Sequence, residues 1–120
     1  MYSQNKNTMT QQQIISAVSN KFEREFDANE TMKVLTHNLM TYLSWGVSKK
    51  FNINNKGLML KVSGHHHKGW VLITLAWDDT YSVYIVSNKG EIKDEYKNVF
   101  FDELTELIDD RIERIEEYVR

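Results

Sequence analysis

The chain of 120 residues contains no cysteine and no proline. Without cysteine it has no disulfide framework, no thiolate zinc site, no iron–sulfur cluster and no cysteine nucleophile. This absence favours a reducing compartment, and we predict a cytoplasmic location. The longest apolar run, residues 70–77, has eight residues, whereas a helix needs roughly 20 to cross a bilayer. We therefore expect no association with a membrane.

Acidic residues are missing from the middle of the chain. From Trp45 to Trp77 there are 33 residues without Asp or Glu, and they include five lysines and three consecutive histidines. From Glu91 to Arg120 the balance reverses, with 11 acids against 5 bases. The formal net charge of -2 therefore combines a basic middle segment with an acidic C-terminal segment. This separation of charge is the main functional indication in the sequence.

The composition indicates one folded domain. Hydrophobic residues make up 41% of the chain and aromatic residues 12%, which is ample for a packed core. A chain of this length buries roughly 65% of the surface that its unfolded form exposes. We expect residues 1–9 to be a flexible leader, because they are polar and lack an apolar pattern. Residues 10–120 are predicted to form a single domain.

Two helices are predicted in the N-terminal third of the chain. The first begins after Thr10, which has Gln13 at the spacing of a capping box. Its apolar residues recur every fourth position to the predicted end of the helix, at Ile14, Val18, Phe22 and Phe26. The second begins after Asp27 or Asn29 as N-cap. Its apolar residues repeat at a spacing of three to four, at Met32, Leu35, Leu39 and Leu43.

Beyond Gly46 the apolar pattern changes to a period of two, which indicates strands. The sequence Asn54-Asn55-Lys56-Gly57 predicts a tight turn, because Asn and Gly tolerate positive φ. The segment from Trp70 to Trp77 is apolar on both faces and is predicted to be a central strand. The segment from Glu91 to Tyr96 is polar and suits an edge. We predict four or five antiparallel strands.

A long C-terminal helix completes the predicted fold. Asp102 is its predicted N-cap. One face of the helix carries Leu104, Leu107, Ile108, Ile112, Ile115 and Val119. The fold class is therefore α+β: an antiparallel meander sheet of four to five strands, with two N-terminal helices and one long C-terminal helix packed on one face.

Several segments of residues 43–112 carry a resemblance to a known family. They are Trp45-Gly46-Val47-Ser48-Lys49-Lys50-Phe51, Leu58-Met59-Leu60-Lys61-Val62, Val71-Leu72-Ile73-Thr74-Leu75, Asp79-Thr80-Tyr81-Ser82-Val83, Tyr96-Lys97-Asn98-Val99 and Asp102-Glu103-Leu104. In these segments the chain resembles a family of small proteins of unknown function from bacteriophages, prophages and conjugative elements. The resemblance implies a mobile-element origin and an α+β meander, and it brings no established activity or catalytic residue.

The first functional hypothesis is a non-enzymatic protein that binds a macromolecule through the acidic side of its last helix. Rim charges of this kind steer a basic partner towards a surface. An unknown protein is the expected partner, and a homodimer formed through the C-terminal helix is a second possibility that the sequence leaves open. The candidate partner-binding residues are Asp109, Asp110, Glu113, Glu116 and Glu117.

The alternative hypothesis is a nucleic-acid-binding accessory protein that uses the basic segment 45–77. Clustered cations attract phosphates, and flat rings can stack on bases. Strand alternation places Lys49 on the side of Phe51 and Lys50 on the other side. The pI of about 6.1 is below the range typical of such domains, and an ordinary solvated sheet face stays the simpler interpretation. The candidate residues are Lys49, Lys50, Lys61, Lys68 and Trp70.

The third hypothesis is a metal-dependent enzyme. His65, His66 and His67 offer imidazole ligands, but neighbours on an extended segment point to opposite sides. We predict a solvated loop there, with no metal site and no cofactor. For catalysis no motif ties candidates together, and we predict that the protein is not an enzyme. The residues considered are His37, Asp78, Asp79, Tyr81 and Tyr84.

Overall fold

A computed structural model describes residues 9–113 as four α-helices, one short 3₁₀-helix and five β-strands. The elements are α1 (Gln11–Ala17), the 3₁₀-helix (Ser19–Lys21), α2 (Ala28–Thr36), α3 (Leu39–Ser44), β1 (Lys49–Ile53), β2 (Gly57–Ser63), β3 (Lys68–Leu75), β4 (Tyr81–Val86), β5 (Ile92–Val99) and α4 (Phe101–Ile112). The predicted α+β class is confirmed, and α4 packs against the sheet as expected.

The sheet is an antiparallel meander in the order β1-β2-β3-β4-β5. β3 is its middle strand, and residues 69–74 are buried on both faces, which confirms the prediction of a central strand. The strand ends at Leu75, before the predicted end at Trp77, which is 74% exposed. The predicted turn between β1 and β2 also forms, with Asn54 at φ 52° and Asn55 at φ 60°. The polar strand β5 lies at the edge, and it extends beyond the predicted end at Tyr96 to Val99.

Alternation along the strands divides the core into two layers. One layer contains side chains such as Leu60, Val71 and Ile85, which pack against α2, α3 and α4. The other contains Met59, Leu72 and Tyr84, which pack against Ile14 and Val18 of the N-terminal segment. The sheet is thus covered on both sides.

The position of α1 corrects the expectation that all helices pack on one face of the sheet. Ile14 and Val18 belong to the layer opposite α2, α3 and α4, whereas Phe26 packs against the layer on the side of these helices. The predicted first helix also ends early, because Phe22 adopts an extended conformation with φ -70° and ψ 138°. Its ring lies against Gly57, at the start of β2. The chain therefore passes from one side of the sheet to the other between Phe22 and Phe26.

The predicted second helix is two helices. Asp27 caps α2 as expected, because its carboxylate accepts the backbone N–H of Asn29 at 2.9 Å. The helix is interrupted at Asn38, and a new helix begins there. The Asn38 side chain caps it by accepting the backbone N–H of Thr41 at 3.3 Å. Asn competes with helical bonding through such contacts. The apolar stripe from Met32 to Leu43 therefore does not continue along one helix.

The first residue of α4 differs from the prediction, and the end of α4 makes a contact that the sequence did not indicate. Phe100 takes the N-cap position instead of Asp102, and the Glu103 side chain accepts the N–H of Phe100 at 3.1 Å. At the other end the β2–β3 loop covers the helix terminus, where His66 donates its backbone N–H to the carbonyl of Ile112 at 2.7 Å. This contact satisfies a carbonyl that a helix end leaves without a partner.

Two predicted regions extend past the described residues. Met9, the last residue of the predicted leader, donates its N–H to the carbonyl of Asn88 at 2.8 Å and packs against the core. Residues 1–8 of that leader lie outside the described part of the chain, and so do Ile115 and Val119 of the predicted helix face.

Candidate interaction surfaces

The acidic side of α4 is partly engaged in contacts within the molecule. Asp109 accepts the indole N–H of the fully buried Trp45 at 3.0 Å. Glu113 accepts the backbone N–H of His65 at 2.8 Å. Asp110 is exposed. Glu116 and Glu117 lie outside the described residues. Two of the five acids proposed as a docking surface thus have a structural role in holding α3 and the β2–β3 loop to α4.

Large apolar side chains are exposed on α3 and at the start of α4. Leu39 is 52% exposed, Met40 77% and Leu43 58%. Leu39 and Leu43 are four residues apart and share one side of α3, and Met40 is next to them. Phe100 and Phe101 are 57% and 67% exposed. We call Leu39, Met40 and Leu43 the apolar patch. Exposed apolar groups that cluster in this way mark sites where a protein binds a partner.

A groove of about 690 Å³ separates α2 and the start of α3 from α4. We call it the helical groove. Its volume is within the range of sites that hold small molecules or side chains of a partner. The residues that line it are Lys33, Val34, His37, Asn38, Thr41, Phe101, Asp102, Thr105, Glu106 and Asp109.

The two walls of the helical groove differ in charge. Lys33 and His37 stand on the wall formed by α2 and its C-terminus, and Asp102, Glu106 and Asp109 stand on α4. Apart from His37, the lining carries three carboxylates and one ammonium group. Phe101 and Val34 add apolar surface. The groove is therefore suited to a segment that is partly apolar and carries positive charge.

The strand register brings together three of the lysines proposed as nucleic-acid ligands. Lys49 of β1 stands directly opposite Lys61 of β2, and Lys61 stands opposite Trp70 of β3. Lys68 is two residues before Trp70 and therefore shares its face of the sheet. We call Lys49, Lys61 and Lys68 the basic corner. Lys50 stands opposite Leu60, on the other face of the sheet.

Aromatic rings lie beneath the basic corner. The Lys61 ammonium is 5.0 Å from the centre of the Trp70 ring, within range of a cation–π contact. The rings of Trp70 and Phe51 are 5.5 Å apart. Trp70 is only 3% exposed, so its ring supports the corner from inside. Phe51, on the edge strand β1, is half-buried.

The three histidines lie in the loop between β2 and β3 and do not share one site. Among residues 9–113, no group of three or more His, Asp or Glu side chains has the geometry of a metal site. His65 and His66 are exposed, and their rings meet edge to face at 5.0 Å. His67 is half-buried with its Nε2 at 3.2 Å from the carbonyl of Trp70. Burial lowers the pKa of His67 from its usual range.

The residues considered for catalysis are dispersed. His37 lines the helical groove. Asp78 accepts the Thr80 hydroxyl at 2.7 Å in the β3–β4 turn, and this bond lowers the pKa of the Asp78 carboxyl. Asp79 pairs with Arg24. The remaining two are Tyr81, whose hydroxyl bonds with Thr31, and Tyr84, which is buried in the layer against α1.

The sequence pattern missed the exposed apolar residues. Leu39 and Leu43 continue the spacing of Met32 and Leu35, and this spacing predicted burial. The one signal for the break was Asn38, a residue that favours caps over helix interiors. Phe100 and Phe101 precede the predicted helix and had no assigned role.

The chain matches no family model, and comparisons with curated proteins and with solved structures also gave no match. The resemblance to small phage and conjugative-element proteins therefore stays a prediction. In the described part of the chain, no helix is both long and apolar enough to cross a membrane.

Proposed function

We propose that this protein is a non-enzymatic binding protein that holds a basic, amphipathic segment of a partner protein on its helical side. The observation that carries this proposal is the exposure of the apolar patch, with Met40 at 77%, next to a groove with acidic residues on one wall. An isolated exposed apolar residue needs no explanation. Three of them on six residues of one helix are a liability unless a partner covers them.

The chemistry of the helical side defines the partner. An amphipathic helix binds a groove through apolar residues spaced three and four apart. Phe101 and Val34 offer contacts to those residues, and the carboxylates of α4 attract positive charge at their border. The acidic helix is still part of the surface, and the centre of that surface lies on the side of α4 that lines the helical groove. Asp102, Glu106 and Asp109 contribute there through their charge.

The test is a selection of peptides on the folded protein. A random library of about 16 residues, roughly four helical turns, would be selected on the wild type. We expect enrichment of peptides with positive net charge and apolar residues three or four apart. Their affinity should fall about tenfold or more in the variant Met40→Gln with Phe101→Gln. Binding would be measured by fluorescence anisotropy.

Trp77→Gln is the matched control, because Trp77 is 74% exposed and lies in the β3–β4 turn. It removes a large exposed apolar side chain at a different place, and the selected peptides should bind it as they bind the wild type. The proposal fails if acidic peptides are enriched, or if the selected peptides bind the Met40 and Phe101 variant and the wild type equally.

We also propose a mobile-element origin, which rests on the resemblance alone. A cytoplasmic location fits a chain without cysteine. The C-terminal homodimer is an alternative occupant for the helical side, and sedimentation equilibrium of the full chain would distinguish it from a foreign partner.

A further inference from the structure

The lysines of the basic corner lie apart from the carboxylates of residues 9–113. The ion pairs in the described residues include those of Lys21, Lys93 and Lys97, and these three involve carboxylates on β5 or just before it. No lysine of the basic corner forms an ion pair with a carboxylate of residues 9–113. The acid-free segment 45–77 explains this difference, because it forms β1, β2 and β3. Positive charge therefore accumulates at one corner of the sheet.

The pairing of Lys49 with Lys61 is unfavourable for the folded state. Side chains directly opposite each other in an antiparallel pair are neighbours, and like charges in that position destabilise the sheet. The cation–π contact with Trp70 holds Lys61 in place and leaves its charge intact. A bound anion would relieve the repulsion. The arrangement is thus the one expected of a site that receives several negative charges.

We propose that the basic corner binds the phosphate backbone of a single-stranded nucleic acid. Adjacent strands are about 4.8 Å apart, so the three lysines span a patch on the order of 10 Å across. Such a patch contacts two or three successive phosphates. Phe51 borders the patch and is only half-buried, and an unpaired base can stack on its ring. This inference is independent of the helical groove, because it uses other residues on the opposite face of the sheet.

A single strand fits this surface better than a duplex. Duplex readers insert a helix or a two-stranded ribbon into the major groove. The lysines here stand on β1, β2 and β3 of a sheet, and the ring of Phe51 stands beside them. Sheet surfaces with aromatic side chains bind unpaired bases in this way.

The test is fluorescence anisotropy with a labelled oligonucleotide of mixed sequence, as single-stranded DNA and RNA and as the matching DNA duplex. We expect salt-dependent binding of the single strands, with a slope of log K against log salt of about -2 for three phosphate contacts. The triple variant Lys49→Gln, Lys61→Gln and Lys68→Gln should lose at least about tenfold in affinity at low salt and flatten that slope. Arginine at the same three positions should retain binding.

The matched control is Lys89→Gln, Lys93→Gln and Lys97→Gln. It makes the same change in net charge on exposed lysines of β5 and the turn before it, at the opposite edge of the sheet, and it should reduce affinity less than about threefold. Circular dichroism would verify the fold of both triple variants. Vesicles containing phosphatidylserine test whether the surface prefers a membrane.

Four outcomes would overturn the proposal. They are no salt-dependent binding of either single strand by the wild type, equal losses in the two triple variants, tighter binding of the duplex than of the single strands, and binding of the vesicles without binding of the oligonucleotides. Variants at Met40 and Phe101 should leave oligonucleotide binding unchanged, so failure here and failure of the proposed function are separate results.

Discussion

Trp45 and Asp109 join the end of α3 to the C-terminal half of α4 through a hydrogen bond of 3.0 Å from the indole N–H to the carboxylate. Trp45 is fully buried, and its ring also meets Tyr42 edge to face at 5.5 Å. The bond satisfies the one polar atom of a large buried side chain. Asp109 therefore stabilises the helical side and contributes its charge to the groove at the same time.

Loss of this hydrogen bond should lower the free energy of unfolding. Asp109→Ala leaves the indole N–H of Trp45 without an acceptor in a buried position and should lower the free energy of unfolding by about 1–3 kcal/mol. Asp109→Asn keeps an acceptor oxygen and should lower it less. Urea denaturation of both variants checks this. Equal losses would show that the carboxylate charge, and not the hydrogen bond, provides the stability.

The sequence pattern predicts that Leu39 and Leu43 are buried, whereas the structure shows them exposed. Their substitution distinguishes the two. Leu39→Gln and Leu43→Gln replace exposed side chains and should change the free energy of unfolding by no more than about 0.5 kcal/mol. Leu35→Ala, on the same sequence stripe but fully buried in α2, should cost about 2–5 kcal/mol. Thermal denaturation with calorimetry makes the comparison. A large loss at Leu39 or Leu43 would mean that α3 packs its apolar side inward.

Truncation of a buried side chain on either face of the central strand β3 should destabilise the protein. Leu72 is buried against α1 and Ile73 is buried against α2, α3 and α4. Leu72→Ala and Ile73→Ala should each lower the free energy of unfolding by about 2–5 kcal/mol. Lys93→Ala on the edge strand is the control and should have little effect. Chemical denaturation followed by tryptophan fluorescence measures the loss. A variant as stable as the wild type would contradict burial on that face.

The pKa shift of His67 predicts how stability depends on pH. Burial disfavours the charged imidazole and lowers the pKa of His67 in the folded state, so the unfolded chain binds this proton more readily. Its contribution to stability is therefore complete above the unfolded pKa of about 6.5 and declines as the pH falls below that value.

The matched variant is His67→Gln, whose amide can still donate to the carbonyl of Trp70. Between about pH 7.5 and about pH 5.5 the melting temperature should decrease more in the wild type than in this variant, because the variant has no proton to gain at that position. An equal decrease in the two proteins would assign the pH dependence to other groups.

The local elements that depend on neighbouring residues could be predicted from the sequence. The capping box of Thr10 and Gln13 forms with bonds of 2.7 Å and 3.2 Å, and Asp27 caps α2. Asn54 and Asn55 adopt the positive φ that their turn requires. The apolar run of β3 was enough to predict its central position, since a strand that is apolar on both faces must be covered twice.

Which elements contact each other is visible only in the folded structure. Periodicity shows which residues share a side of a helix, but it does not say which face of the sheet that side will contact. The stripe from Ile14 to Phe26 therefore divides between the two faces. Alternation along β1 was enough to predict that Lys49 and Lys50 lie on opposite faces of the sheet. The opposition of Lys49 and Lys61 required the register between two strands, which depends on pairing across the sheet.

For the binding surfaces, too, the sequence predicted one part and the folded structure was needed for the other. Composition alone indicated a basic middle segment and an acidic end, because charge is a property of each residue. Whether a charge is available depends on its three-dimensional neighbours. Asp109 and Glu113 are engaged by Trp45 and His65, far away in the sequence. Leu39 and Leu43 are exposed because Asn38 begins a new helix whose other side meets α4. Contacts between distant residues thus decided which part of each charged or apolar segment is open to a partner.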